Sequence, residues 1–234
     1  MKEGELSMEI KHVWGVYYSA VGSTEKLVKA LASTLAECLN VPVSFKTFNT
    51  PEEREAVQTF EKTDLLVVGT PTYAGKIPNK LLPTFRSKMV GDGALAVALV
   101  SFGNRSYDNS LAELCSVLEQ NGFCLVGGAA CVAQHAMAKQ LAAGRPDEKD
   151  FGGVRSFAQN LADKLQKAHG IQTGLRVPGD ADAPYYVPLD EHGQPANFLK
   201  AKPKTLLEKC VKCGDCVRVC PMGSIDPLDV SHVT

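Results

Sequence analysis

Four cysteines carry the strongest chemical signal in the chain. Cys210, Cys213, Cys216 and Cys220 are spaced C-x2-C-x2-C-x3-C, with Pro221 following. Thiolates are soft anionic donors suited to iron, and this spacing is that of an iron–sulfur run. Gly214 lets the backbone turn close to a metal. Structural zinc more commonly uses two short pairs separated by a longer loop, so a zinc-holding, non-redox module is the weaker alternative. The run raises a difficulty of count. In two-cluster proteins its fourth cysteine serves the other cluster. No cysteine follows Cys220 in the fourteen remaining residues to Thr234. The expectation is a truncated chain whose 4Fe-4S site is incomplete or absent. Cys38, Cys115, Cys124 and Cys131 lie in apolar-periodic segments and read as small buried hydrophobes.

A second constellation lies in the first 110 residues. Ser19-Ala20-Val21-Gly22-Ser23-Thr24 joins an aromatic, apolar run to a helical pattern. Hydroxyls and glycine at a helix N-terminus bind anions through outward N–H groups and the positive end of the helix dipole. The loop holds no Lys or Arg, so a single terminal phosphate suits it better than a triphosphate. G-x-G-x-x-G is missing from this turn. The nearest approach to G-x-x-x-x-G-K-[ST], from Gly69 to Gly75-Lys76-Ile77, has one residue too many and Ile where a hydroxyl belongs. Two further loops, Pro71-Thr72-Tyr73-Ala74-Gly75-Lys76 and Phe102-Gly103-Asn104-Arg105-Ser106-Tyr107, place aromatics beside small residues. One such loop alone is ordinary packing. Together the three suit a flat, phosphorylated cofactor.

The elements that must position these loops follow from periodicity. His12–Tyr18, Val43–Phe48, Asp64–Thr70, Ala94–Ser101 and Cys124–Ala133 read as strands. Ser23–Leu39, Asn79–Lys88, Tyr107–Gln120 and Phe151–Lys167 read as helices. Their alternation predicts an α/β fold: a five-stranded parallel sheet with helices on both faces. Ligands then bind at the carboxyl ends of the strands, where the three loops fall. From Gly170 to Pro203 the chain is rich in Gly, Pro, Asp and Ala without sustained periodicity, and reads as a linker wrapping the first domain, with Pro184-Tyr185-Tyr186 as an anchor. The expected division is 1–170, a linker 171–204, and a small irregular segment 205–234.

The first 170 residues resemble a flavodoxin. YYSAVGSTEKLV is similar to that family's phosphate loop, VVGTPTYAGKIP to its aromatic loop and SFGNRSYDNSL to its third flavin loop. With the cysteine run, which resembles a bacterial ferredoxin segment, the whole chain is similar to flavodoxin–ferredoxin fusion proteins. The resemblance implies a doubly wound sheet of order 2-1-3-4-5 and bound FMN. By position, Ser19, Ala20, Val21, Gly22, Ser23 and Thr24 would surround the phosphate. Val21 stands where the family prefers Thr, which removes one hydroxyl donor. Pro71, Thr72, Tyr73, Ala74, Gly75 and Lys76, with Phe102, Gly103, Asn104, Arg105 and Tyr107, would flank the ring, Tyr73 and Tyr107 stacking on it. A carbonyl in the Tyr73–Gly75 stretch would turn toward ring N5. Lys76 or Arg105, on reaching the ring, would stabilise its reduced anion.

The resemblance implies an FMN-dependent protein passing electrons between flavin and iron–sulfur centres, with other redox proteins as partners. No catalytic acid, base or nucleophile constellation stands out, which favours a carrier. A flavin reductase acting on a quinone-like acceptor is the enzymatic alternative. His135, after the last strand, reads as a surface residue whose alternative is the flavin edge. The chain has 25 Lys and Arg against 26 Asp and Glu, so it offers no global field for nucleic acid or an anionic membrane. Lys200–Arg218 is locally basic and reads as a solvated face, or as a dock for an acidic redox partner. With no long apolar run and no secretory signal in MKEGELSMEIKH, a cytoplasmic protein is expected.

Overall fold

The computed structural model describes residues 9–167, 174–196 and 204–233. The expected boundary at 170–171 and the linker's last residues, 197–203, lie outside the described residues. In chain order the strands are β1 (His12–Tyr17), β2 (Val43–Thr47), β3 (Gln58–Thr59), β4 (Asp64–Pro71), β5 (Met89–Val90), β6 (Leu95–Phe102) and β7 (Cys124–Val132). The helices are α1 (Ser23–Leu39), α2 (Leu82–Ser87), α3 (Ser110–Gln120), α4 (Glu148–Lys167) and α5 (Asp215–Arg218). The main sheet runs β2-β1-β4-β6-β7, which is 2-1-3-4-5 counted over its own five strands, and all its pairs are parallel. Short β3 and β5 form a separate parallel pair that the sequence reading did not include.

The central strands are apolar throughout because helices cover both faces. Leu65, Leu66, Val67 and Val68 of β4 are fully buried, as are Ala96–Val100 of β6. One core packs α1 and α4 on one face, through Leu27, Leu31, Leu35, Val154 and Leu161. The other packs α2 and α3, through Phe85, Leu111, Leu114 and Leu118, with Phe48 and Phe60. Gly69 lets α1 lie close on β4: a Cβ there would come within 2.2 Å of Val28 Cγ2. That approach sets the height at which α1 begins. β7 slips register beside Ala96 and Val97, with Val126 as the extra residue of a bulge.

Helix ends differ from the expected ones where local chemistry sets them. α2 begins only at Leu82, with Pro83 in its first turn, where a missing N–H costs nothing. α1, by contrast, has its expected bounds and is capped by Asn40, which adopts the left-handed conformation (φ 53°). α4 begins at Glu148 rather than Phe151, because Asp147 and Asp150 form a capping box. Asp147 Oδ1 accepts from the Lys149 and Asp150 amides at 2.9 and 3.1 Å, and the Asp147 amide donates back to Asp150 at 2.9 Å.

Arg145 pairs with Asp150. That hydrogen-bonded guanidinium above all, then the Asp147 amide, holds the Asp150 carboxyl below its ordinary range against an opposing effect of burial. A depressed carboxylate stabilises the fold above its unfolded pKa and loses that contribution as pH falls through its folded value. Asp150→Asn is therefore expected to lower Tm at pH 7 by about 2–4 °C. The gap to wild type should narrow as pH is lowered through the acid range, measured by thermal melts across pH.

Candidate functional site

The carboxyl ends of β1, β4 and β6 open into one cavity of about 810 Å3. This falls within the roughly 300–1,000 Å3 range of small-ligand sites. Another hollow, of about 420 Å3 between Ser33 and Val43, lies away from these loops.

At the end of β1 the chain turns through Gly22 (φ 85°) directly into α1. The loop is fixed from outside: the Ser19 amide donates to Asn49 Oδ1 at 2.7 Å, and Ser19 Oγ accepts from the Glu25 amide at 3.1 Å. Beneath it, the Thr24 and Ser101 hydroxyls share a buried hydrogen bond of 2.7 Å. Among the described residues, the main-chain amides of residues 20–24 find no hydrogen-bond acceptor. Val21 projects outward, 66% exposed, on the cavity wall. Unclaimed amides at the positive end of a 17-residue helix fit a phosphate.

After β4, residues Tyr73–Lys76 form a tight reverse turn. The Tyr73 amide donates to the Lys76 carbonyl at 2.9 Å and the Lys76 amide returns to the Tyr73 carbonyl at 3.1 Å. Ala74 (φ 49°) and Gly75 (φ 79°) both occupy left-handed conformations, as the primed turn of a hairpin requires. All three carbonyls of Tyr73–Gly75 are engaged: Tyr73 by Lys76, Ala74 by the Tyr186 amide at 2.7 Å, and Gly75 by the Asn109 amide at 2.9 Å. Tyr73 lines the cavity, and burial, followed by neighbouring Tyr18, pushes its phenol up to about 12. It remains a neutral hydrogen-bonding group across the ordinary pH range.

Of the residues expected around the ring, Pro71, Thr72, Tyr73, Ala74, Gly75, Phe102, Gly103 and Arg105 line the cavity, as do Ser19, Ala20, Val21, Ser23 and Thr24 of those expected around the phosphate. Gly22 turns the loop without facing the cavity. Asn104, Lys76 and Tyr107 do not line it either. Tyr107 packs edge-on against Phe102, with ring centroids 5.5 Å apart, instead of presenting its face to a ligand. Lys76 turns into the protein, 4% exposed, and pairs with Glu113 at 3.2 Å. Arg105 is the one formally charged side chain on the wall among the described residues, and it pairs with Asp108.

Several wall residues carried no motif. Ser101 and Asn79 flank the expected loops and Ser106 lies inside the third of them, while Ala133–Met137 come from the loop after β7. His135 is among them. Its Nδ1 accepts from the Met137 and Ala138 amides at 3.2 and 3.0 Å. Two donors on Nδ1 leave the ring proton on Nε2. Tyr185–Pro188 and Ala196 come from the stretch expected as the linker, 171–204.

The cysteine run folds as a short turn, α5 and a hairpin-like return. Cys213 and Cys216 are exposed; Cys210 and Cys220 are half-buried. Gly214 (φ 74°) makes the turn into α5. Burial raises the Cys220 thiol, but hydrogen bonds from the Ser224 hydroxyl and amide, and from the Met222 and Gly223 amides, outweigh it and leave the thiol low. This is an environment for a thiolate ligand. The donor chemistry fits an iron–sulfur cluster. Among the described residues, however, no three His, Cys, Asp or Glu side chains converge to hold a metal ion. No described helix is long and apolar enough to cross a membrane.

A doubly wound parallel sheet with a ligand cavity at its carboxyl edge, followed by a cysteine segment, defines an α/β cofactor-binding class. The family model described as flavodoxin matches residues 16–144, more than half of the chain, and a 4Fe-4S binding domain matches 203–225. The chain belongs to the flavodoxin family and carries a ferredoxin-type segment at its C-terminus. A flavodoxin domain implies FMN, and a 4Fe-4S binding domain implies an iron–sulfur cluster rather than zinc. No curated protein matches the chain. Among solved structures, it is similar to a flavodoxin of Streptococcus pneumoniae (21% identity, 65% of this chain and 99% of that one, TM-score 0.46). It is also similar to an archaeal flavodoxin (17%, 66% and 99%, TM-score 0.42). The rubredoxin oxygen:oxidoreductase of Desulfovibrio gigas is a third (20%, 69% and 38%, TM-score 0.45).

The exposed Val21 sits among the free amides where a hydroxyl could add a donor. A hydrogen bond to a charged group contributes about 1.5–3 kcal/mol when fully formed, less when water competes. Val21→Thr is expected to tighten FMN binding by roughly threefold to tenfold, read by quenching of flavin fluorescence on titration.

Proposed function

We propose that the protein is an electron carrier that holds FMN in the cavity above β1, β4 and β6 and exchanges electrons with an iron–sulfur centre on Cys210, Cys213, Cys216 and Cys220. The observation that carries this reading is the phosphate end: the main-chain amides of residues 20–24 have no acceptor among the described residues, and Ala20, Val21, Ser23 and Thr24 line a cavity whose remaining wall is mostly apolar. Flavodoxin and 4Fe-4S domains in one chain support a flavin and iron–sulfur electron-transfer role.

The residues divide the work. The amides of residues 20–24 and the hydroxyls of Ser19, Ser23 and Thr24 would bind the phosphate without a counter-cation, through N–H groups and the α1 dipole. Asn49 and Ser101 hold that loop and Thr24 in place. Tyr73 and Phe102 supply aromatic walls. Because Lys76 is turned away and Arg105 is paired with Asp108, the ring would meet little net positive charge. FMN, when bound, supplies a ring that accepts electrons singly or in pairs, whereas an iron–sulfur centre moves one at a time. The four thiolates would hold that centre, with the amides around Cys220 stabilising its negative charge.

Protein purified anaerobically is expected to carry flavin absorption, to release FMN in acid and to reload with one FMN per chain. Iron and acid-labile sulfide should be present and should disappear in the Cys213→Ser variant, whose FMN uptake stays unchanged. A colourless protein that fails to take up FMN would overturn the reading. Iron without sulfide, or zinc alone, would overturn its iron–sulfur half.

A further inference from the structure

The stretch between α4 and the cysteine run has the composition of a spacer, and residues 174–196 of it are built into the flavodoxin body. Lys76 is the centre of the attachment. Its ammonium donates to the Ala181 and Ala183 carbonyls at 2.6 and 2.7 Å while pairing with Glu113 at 3.2 Å. Both charged side chains are 5% exposed. The other Glu113 oxygen accepts the Ile77 amide at 2.8 Å. A buried ammonium needs its three donors satisfied, and two of its acceptors here belong to the segment. Undocking would take away two of the ammonium's acceptors, so Lys76 ties the segment to the flavodoxin body.

Further contacts run along the segment. The Asp180 amide donates to Asn109 Oδ1 at 2.9 Å, and the Tyr185 hydroxyl to the Ile77 carbonyl at 2.7 Å. Gly128 of β7 makes room for Val177: a Cβ there would lie 3.1 Å from Val177 Cγ1. Tyr186 makes the contacts nearest the cavity. Its amide holds the Ala74 carbonyl at 2.7 Å, its ring lies 4.2 Å from the Arg105 guanidinium, and it stands on the cavity wall.

We propose that the interdomain segment is a wall of the cofactor cavity, with Tyr186 as a positioning residue for the cofactor and the Lys76–Glu113 pair as its anchor. This rests on the reading of the cavity as the FMN site. Tyr186 acts twice. Its main-chain N–H fixes the turn that carries Tyr73, and its ring, backed by Arg105, narrows the cavity. By reciprocity, an occupied cavity holds the segment more firmly, and a docked segment slows loss of the cofactor.

The test uses the full chain. Tyr186 is 45% exposed, so its truncation leaves the core intact. Tyr186→Ala is expected to weaken FMN binding by about tenfold, mainly through faster dissociation, while Tyr186→Phe binds as wild type does. In wild type, FMN is expected to slow proteolytic cleavage within residues 174–196 and exchange of the Tyr186 amide. Wild-type affinity and dissociation rate in Tyr186→Ala would overturn the proposal. So would wild-type protein that binds FMN with no change in cleavage or exchange. Wild-type protein that takes up no FMN would overturn the functional reading itself, and this inference with it.

Discussion

Strand pairing on both sides of β1 governs the site. β1 hydrogen-bonds to β2 on one side and β4 on the other, so the chain leaving β1 and the chain leaving β4 cross to different faces of the sheet. The two connections cannot cover the same ground, and a crevice opens between them at the carboxyl edge. α1 must begin at that edge, and the glycine at position 69 lets it sit low enough for Thr24 to reach Ser101. The unclaimed amides of residues 20–24 are therefore a product of topology as much as of local sequence.

On this frame, charge is managed by displacement. A cation beside a flavin would favour its reduced anion, and Lys76 stands in the loop where such a cation would act. The fold draws it inward onto Glu113 and the Ala181 and Ala183 carbonyls. The same side chain thus leaves the cavity wall nearly free of charge and secures the segment that completes that wall. Arg105 is restrained differently, by Asp108 and by the Tyr186 ring. Neither arrangement requires a carboxylate on the cavity wall itself.

The parallel sheet was legible because apolar runs such as Leu65–Val68 and Leu95–Val100 need cover on both faces, whereas its order came only from the flavodoxin resemblance. The loop proposed for the phosphate stood out in the sequence because its signal is local: hydroxyls, glycine and a helix start within six residues. The remainder depends on distant partners. Lys76 finds its acceptors 105 and 107 residues away, and no periodicity records that. Tyr107 shared every local feature of a stacking aromatic, yet one turn before α3 it packs against Phe102. Asn49 and Ser101 are ordinary polar residues until parallel pairing brings their strand ends beside the loop. That residues 174–196 wrap the first domain through Tyr185 and Tyr186 was an expectation of the sequence, but the Lys76 attachment was not legible because it uses main-chain carbonyls, which every sequence possesses. α4 began three residues early for a reason the sequence did contain, the Asp147 and Asp150 capping box.

The connection after β2 serves two neighbours. Asn49 grips the Ser19 amide, while five residues on, Arg54 donates to the Pro221 carbonyl just past Cys220, and Pro51 lies against Gly223. A single short stretch of main chain is thus hinged to the anion loop at one end and to the cysteine finger at the other. Lengthening it by even one residue would throw both attachments out of alignment together. The two halves of the chain accordingly share a common bracket, and drift in one is geometrically constrained by the other.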